Sequence, residues 1–212
     1  KTHELNLRGM FGPVLKTTTT KQLMDDGVLA KLDIDVVMLR YTPEECKHVA
    51  KNCKKYQDEI KWLVDHDKRN KFIVATAFSQ PRNTLVLFNF VEGHGEGLYE
   101  YAKERAPEFG KEVFFVHGNV KVEDREDIRR LVEKQDNIII FASYGTFSTG
   151  INMKNLHSVI FAHPFKARIR NLQSIGRTLR KSSGKESAKL IDIGDDLSYN
   201  SSRNVTLEHL VE

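Results

Sequence analysis

Two segments carry residue types that could act on phosphates. In the first, Ile138-Ile-Ile-Phe-Ala142 runs directly into Ser143, Gly145, Thr146, Ser148, Thr149 and Gly150, with Asn152 just beyond. Hydroxyls and glycines past the carboxyl end of a strand offer O–H and backbone N–H donors to an anion. A polar turn capped by a serine would show the same composition. In the second, Gln173-Ser-Ile-Gly-Arg-Thr-Leu-Arg180, a helix would put Arg170, Gln173, Arg177 and Arg180 on one face. Ile169, Leu172, Gly176 and Leu179 form the neighbouring stripe, which can bury against a sheet. Guanidinium forks held in such a row suit the charge that builds up when a phosphoryl group is transferred. A solvated basic helix would read alike. Gly176 in mid-helix costs about 1 kcal/mol against Ala, so a close backbone approach beside Arg177 is expected.

The charge distribution points the same way. The 212 residues hold 33 Lys and Arg against 29 Asp and Glu, a net charge of +4. Lys166, Arg168, Arg170, Arg177, Arg180, Lys181 and Lys185 all fall between Phe165 and Lys185, with no acidic residue among them. The remainder of the chain is therefore net negative, and a concentrated positive stretch favours phosphate-bearing partners.

Positioning these groups requires a folded frame. Hydrophobic residues make up 40% and charged residues 29%, the balance of a globular domain with a core and room for an arm. The longest apolar run, Ile138–Ala142, is too short to cross a bilayer, so no membrane partner is expected. Lys1–Met10 has no signal-peptide core. Cys46 and Cys53, seven residues apart in a helical pattern, would lie about 10 Å apart and stay reduced thiols. A cytoplasmic setting follows.

Thr42-Pro43-Glu44-Glu45 is a capping box with proline in the first helical position. Cys46, Val49, Cys53, Tyr56, Ile60 and Leu63 then continue one amphipathic helix. Val36–Leu39 reads as a strand before it, and Asn70–Phe78 as a shorter helix ending before Pro81. From residue 84 the pattern changes. Thr84–Phe90, Glu112–Val116, Asn137–Ala142, Ser158–Ala162 and Lys189–Ile193 are apolar runs without alternation, as in strands buried on both faces. Helical stretches His94–Arg105, Val122–Glu133 and Lys166–Arg180 separate most of them. The alternation predicts an α/β fold with a mostly parallel sheet between helix layers. Ligands of such a sheet bind at the carboxyl ends of its strands, so the loops after Phe90, Val116, Ala142 and Ala162 are the ones to inspect.

Several chemistries are absent from the sequence. There is no G-x-x-x-x-G-K-[ST]; Gly184-Lys185 is followed by Glu186, and Leu179 stands where the first glycine belongs. Asp58-Glu59-Ile60-Lys61 fails as an acidic magnesium motif at its fourth place. Gly93-His-Gly-Glu-Gly97 is not a dinucleotide fingerprint and reads as a turn opening a helix. No G-x-S-x-G, H-E-x-x-H or Cys/His metal spacing occurs, so neither a serine hydrolase nor a metal site is expected.

Together, Ser143…Gly150-x-Asn152 and Gln173-x-x-Gly-Arg-x-x-Arg180 resemble motifs V and VI of superfamily 2 helicases. Thr84–Phe90 with its glycine turn resembles motif IV, and Val116-His-Gly-Asn119 with the helix holding Arg125 resembles motif IVa. Phe11-Gly-Pro13 and Asp26-Gly27 resemble the segment joining the two motor lobes. Ala142-Ser-Tyr-Gly-Thr-Phe-Ser-Thr-Gly150, Lys154-Asn-Leu-His157 and Ile175-Gly-Arg-x-Leu-Arg-Lys181 are especially similar to the UvsW-type DNA helicases of tailed phages.

The resemblance implies a RecA-like second motor lobe, P-loop NTPase-like in fold, over residues 35–212, after an interlobe linker or arm over residues 1–34. It implies ATP as the nucleotide, with Mg2+ bound mainly by a first lobe, and DNA, single-stranded or branched, as partner. Arg177 and Arg180 would be arginine fingers reaching ATP on the first lobe, and Gln173 would help join the lobes. Gly150 would approach the γ-phosphate side, and Asn152, where many relatives have Asp, the ribose or the fingers. Ser143 and Thr146 would touch a DNA phosphate, with His117, Arg125 and the loop from Phe90 to His94 as further DNA contacts. The implied process is remodelling of branched DNA in recombination, repair and replication. Lacking the nucleotide-binding loop and the acidic motif, the chain is expected to be part of a longer helicase and to hydrolyse negligible ATP alone. A non-enzymatic nucleic-acid-binding module, or a lobe of an RNA helicase or restriction or remodelling motor, is the alternative.

Overall fold

The computed structural model describes residues 2–12, 18–149, 153–164, 185–200, 204, 206 and 207. Helices α1 (Thr2–Phe11) and α2 (Thr20–Asp25) precede strand β1 (Lys31–Arg40). The sequence pattern missed both helices and only the middle of β1 was expected. The strand begins inside the stretch read as an arm. Thr42 then caps α3 (Pro43–Asn52) as the sequence demands: the Thr42 N–H donates to Glu45 Oε2 at 2.8 Å, and the Glu45 N–H to Thr42 Oγ1 at 3.3 Å.

The single long helix expected to Leu63 is two helices. Backbone at Cys53 is extended (φ −103°, ψ 95°), and α4 (Tyr56–Val64) starts afresh. No glycine or proline marks the break. Asp58 makes it, because its carboxylate accepts from the Lys55 N–H at 3.1 Å and so caps a second helix. α5 (Asp67–Ser79) starts three residues before the expected Asn70, where the His66 ring nitrogen accepts from the Arg69 N–H at 3.2 Å. There follow β2 (Thr84–Phe88), a wide turn Val91–Gly95, α6 (Glu96–Phe109), β3 (Glu112–Val116), α7 (Val122–Lys134), β4 (Ile138–Ser143), α8 (Tyr144–Thr149), β5 (Ser158–Phe161) and β6 (Ser187–Asp196). The helix expected over Lys166–Arg180 lies outside the described residues.

All six strands form one sheet in the order β1-β6-β5-β2-β4-β3, and every pairing is parallel. The non-alternating strands are explained by burial on both faces. On one face Val86 and Phe88 of β2 join Ile139, Phe141 and Ile191 against α5 and α6. On the other, Leu85 and Leu87 join Ile138, Ile140 and Leu190 against Val132 of α7, Met153 and Leu156. A third cluster, Cys46, Val49, Leu63 and Leu197, fastens α3 and α4 beyond the end of β6. Truncating one of these fully buried side chains to Ala would cost about 2–5 kcal/mol.

Asn83, just ahead of β2, ties the amino end of the sheet. Its amide donates to the carbonyls of Val132, Gln135 and Asn155 at 2.6–3.0 Å and accepts from the Ile138 N–H at 2.9 Å. The opposite, carboxyl end is left for function. There the chain leaves β2 towards the α5–α6 face, through Leu98 and Ala102 of α6. It leaves the neighbouring β4 towards the other face, through Tyr144 of α8. Exits that diverge from adjacent parallel strands create a crevice between them, the usual ligand site of an open sheet.

Candidate functional site

Ser143 is the last residue of β4 and is paired in register with Phe88 of β2, so it borders this crevice. Its Oγ lies 2.8 Å from Thr146 Oγ1 and accepts from the Thr146 N–H at 3.4 Å. Both side chains are buried. Ser143 therefore opens α8 as a capping serine. The polar stretch read past the strand is helical from Tyr144 to Thr149. Gly150, Asn152, Gln173, Arg177 and Arg180 lie outside the described residues.

The loop after β2 is built by its glycines. Gly93 has φ of +76°, a backbone that other residues rarely adopt. A Cβ on Gly95 would stand 2.5 Å from the Phe88 ring. This tight turn carries His94 inward to 2% exposure and leaves Phe90 44% exposed. Among the described residues neither ring nitrogen of His94 has a hydrogen-bond partner. Burial, then the positive charge of Arg69 and the proximity of His163, hold its pKa well below the usual histidine range, so the ring is neutral at pH 7. The Phe90 ring stands edge-on to His163 with centroids 5.2 Å apart. Phe90 and His94 both line a cavity of about 590 Å3 between this loop and α4.

His117, one residue past β3, is half-buried against the Phe115 ring at 5.0 Å. Arg125 of α7 reaches back to the same loop. Its Nε donates to Val120 O and an Nη to Gly118 O, both at 2.8 Å. Two of its five N–H donors thus hold the loop in shape, which leaves three for a ligand. The structure brings Ser143, Thr146, Phe90, His94, His117 and Arg125 to one edge of the sheet, on the ends of three strands and the helices α7 and α8 that follow two of them.

Sequence reasoning missed the strongest polar contact at this edge. Arg69 donates from Nε and Nη2 to the two oxygens of Asp195 at 2.8 and 2.9 Å, and from Nη1 to Ala162 O at 2.9 Å. Tyr41 Oη donates to the same carboxylate at 2.6 Å. Both members of the ion pair are fully buried. Burial works against the Arg69 charge, but Asp195 more than offsets it and holds the guanidinium ionised. Burial first, and the Asp195 charge second, push the Tyr41 pKa far up. The first turn of α5 is thereby clamped across the ends of β5 and β6. No local signal announces a pair 126 residues apart.

No group of three His, Cys, Asp or Glu side chains suited to a metal ion occurs among the described residues. No helix among them is long and apolar enough to cross a membrane.

A six-stranded parallel sheet with helices on both faces and its polar loops gathered at the carboxyl edge defines the class: a RecA-like motor lobe. The chain belongs to the helicase conserved C-terminal domain family, which residues 67–182 match. It is 43% identical over 190 residues to the ATP-dependent DNA helicase UvsW of Enterobacteria phage T4, covering 88% of this chain and 36% of that protein. The crystal structure of T4 UvsW superposes with a TM-score of 0.72, at 36% identity, over 96% of this chain and 40% of the other. The SWI2/SNF2 ATPase core domain of Sulfolobus solfataricus shares the fold, with a TM-score of 0.56 at 16% identity, over 91% of this chain and 46% of that one. The chain thus spans little more than a third of the length of the helicase relative it matches.

Proposed function

We propose that this chain is the second motor lobe of an ATP-dependent superfamily 2 DNA helicase or translocase that remodels branched DNA in recombination, repair and replication. The lobe takes in β1 from Lys31, four residues before the expected start at 35, and the residues ahead of it link it to a first lobe. One observation carries the reading: Ser143 and Thr146, at the start of the first phosphate-type motif, follow β4 at the carboxyl edge of a parallel sheet, in a chain 43% identical to a DNA helicase.

ATP is held between the lobes, and Mg2+ would be bound mainly by the first lobe. Arg177 and Arg180 reach across and stabilise the charge that develops on the transferred phosphoryl group. Gly150 approaches the γ-phosphate side, Asn152 lies near the ribose or the fingers, and Gln173 helps join the lobes. Ser143 and Thr146 grip a backbone phosphate, using the hydroxyls they otherwise share with one another. His117, Arg125 and the loop from Phe90 to His94 extend the track. ATP-driven closing and opening of the lobes shifts this grip along the strand, as gating motions do in other motors. In a phage-infected cell the work is done in the host cytoplasm.

The test is Arg177→Ala and Arg180→Ala in the two-lobe protein. Each lowers DNA-stimulated ATP turnover by about 10³-fold or more, the range of arginine-finger losses. A loss below tenfold removes the assigned role.

A further inference from the structure

The cavity between α4 and the β2–α6 loop has a chemistry of its own. Buried Ile60 and Val64 of α4 supply apolar wall, and the exposed Phe90 ring supplies a flat face. The wall is fixed to the opposite side, where Tyr56 Oη donates to Pro164 O at 3.0 Å. His94 lines the cavity while fully buried, with both ring nitrogens unpartnered among the described residues, and an unpaired buried polar group is costly. A neutral imidazole needs one donor and one acceptor in its plane. The charged lining is Lys61 against Asp65 and Glu92, so it repels a phosphate and invites an amino group. Volumes near 590 Å3 are those of small-ligand sites.

We infer that this cavity is a nucleobase pocket, taking one unstacked, amino-bearing base (cytosine, adenine or guanine) from the strand that runs along the carboxyl edge. The base stacks on Phe90, its edge pairs with His94, and its exocyclic amino group donates to Glu92 or Asp65. Thymine and uracil, without that amino group, are disfavoured. The inference rests on the reading of this edge as a nucleic-acid track. It adds a base preference to a grip that phosphates alone would leave blind to sequence.

The experiment is fluorescence anisotropy of 12-nucleotide oligo-dC, oligo-dA and oligo-dT with the 212-residue chain over a salt series. The chain binds oligo-dC and oligo-dA at least about fivefold more tightly than oligo-dT. Phe90→Ala weakens the favoured oligonucleotides by about fivefold to a hundredfold, the range that base–aromatic stacking commands, and Phe90→Trp restores them. Glu92→Gln, an exposed change on the loop, narrows the preference over oligo-dT. The salt slope is unchanged in the two Phe90 variants, because the ring carries no charge to pair with a phosphate. Salt-dependent binding that ignores Phe90 and shows no base preference overturns the pocket and leaves the phosphate track standing. Absence of oligonucleotide binding overturns both. Free CMP or AMP binding as tightly as the oligonucleotides, and lost in Phe90→Ala, assigns the cavity to a mononucleotide and overturns the strand as its source.

Discussion

Arg69 shows how much one side chain can hold at the edge of this sheet. Its charge is out of water, and its guanidinium bonds go to groups that are equally buried, Asp195 and the Ala162 carbonyl, while the half-buried Tyr41 holds the other side of Asp195. A buried pair is tolerated only while both partners remain. Arg69→Met alone strands the carboxylate, and Asp195→Leu alone strands the guanidinium. Each is expected to cost about 3–5 kcal/mol in urea unfolding. The double variant is expected to lose less than the sum of the two, since it leaves no unpaired charge behind. Strict additivity of the two losses would show that the residues act independently. The same residues mark the limit of sequence reading. Arg69 sits in a helix flanked by Lys68 and Lys71 and looks like surface. Its burial depends on a carboxylate supplied by the last strand, and no local pattern encodes a pair so distant in the chain.

Elements were more legible where their signals were local. The Thr42 box and Pro43 specify the start of α3 completely, because the contacts that satisfy the first turn come from residues three apart. Strands β2, β4 and β5 were legible because burial on both faces makes a nearly continuous apolar run, and the half-exposed edge strand β3 and β6 were legible from their shorter Val, Phe, Leu and Ile runs. The break at Cys53 was not, because the helical periodicity of buried residues passes straight through it. Nor was the burial of His94: Gly93-His-Gly-Glu-Gly97 announces a turn but not the direction in which the histidine points. The last two glycines of that motif, Gly95 and Gly97, have separable jobs. Gly95→Ala drives a methyl into the Phe88 ring, which is fully buried and stacked on Phe115 at 5.4 Å. It is expected to lower stability by about 1–3 kcal/mol, the cost of overpacking. Gly97→Ala, inside α6 with nothing within 4 Å of the new methyl, should be neutral or stabilising by up to about 1 kcal/mol. Thermal unfolding of the two variants checks the pair. Equal effects would mean that the turn, not the packing beneath it, decides.

On the scale of the whole molecule, the described residues form an α/β frame around one parallel sheet. The parallel sheet and its two buried faces were readable from composition and periodicity. The proposed role of the arginine motif towards ATP came from its family resemblance, because spacing alone fits a solvated basic helix equally well. Positioning and charge stabilisation in phosphoryl transfer require groups from both walls of the cleft. The sequence holds no G-x-x-x-x-G-K-[ST] loop, and the described residues hold no acidic metal cluster. The purified 212-residue chain should therefore release phosphate from ATP at the background rate, with or without DNA. Turnover that DNA stimulates and Arg177→Ala abolishes would place a complete active site within these residues.

The pairing of β1 with β6 has a further consequence, for biosynthesis. Among the described residues β1 forms the margin of the sheet, and its strand neighbour there is β6, in register from Lys31 opposite Ser187 to Arg40 opposite Asp196. At translation rates of roughly 5–20 residues per second, the ribosome needs on the order of ten seconds to deliver that neighbour. During that interval a ten-residue strand with Ile34, Val36 and Met38 on its surface has nothing to pair with. Among the described strands of this sheet, the first to emerge is secured by the last, and β1 is open to wrong partners until β6 arrives.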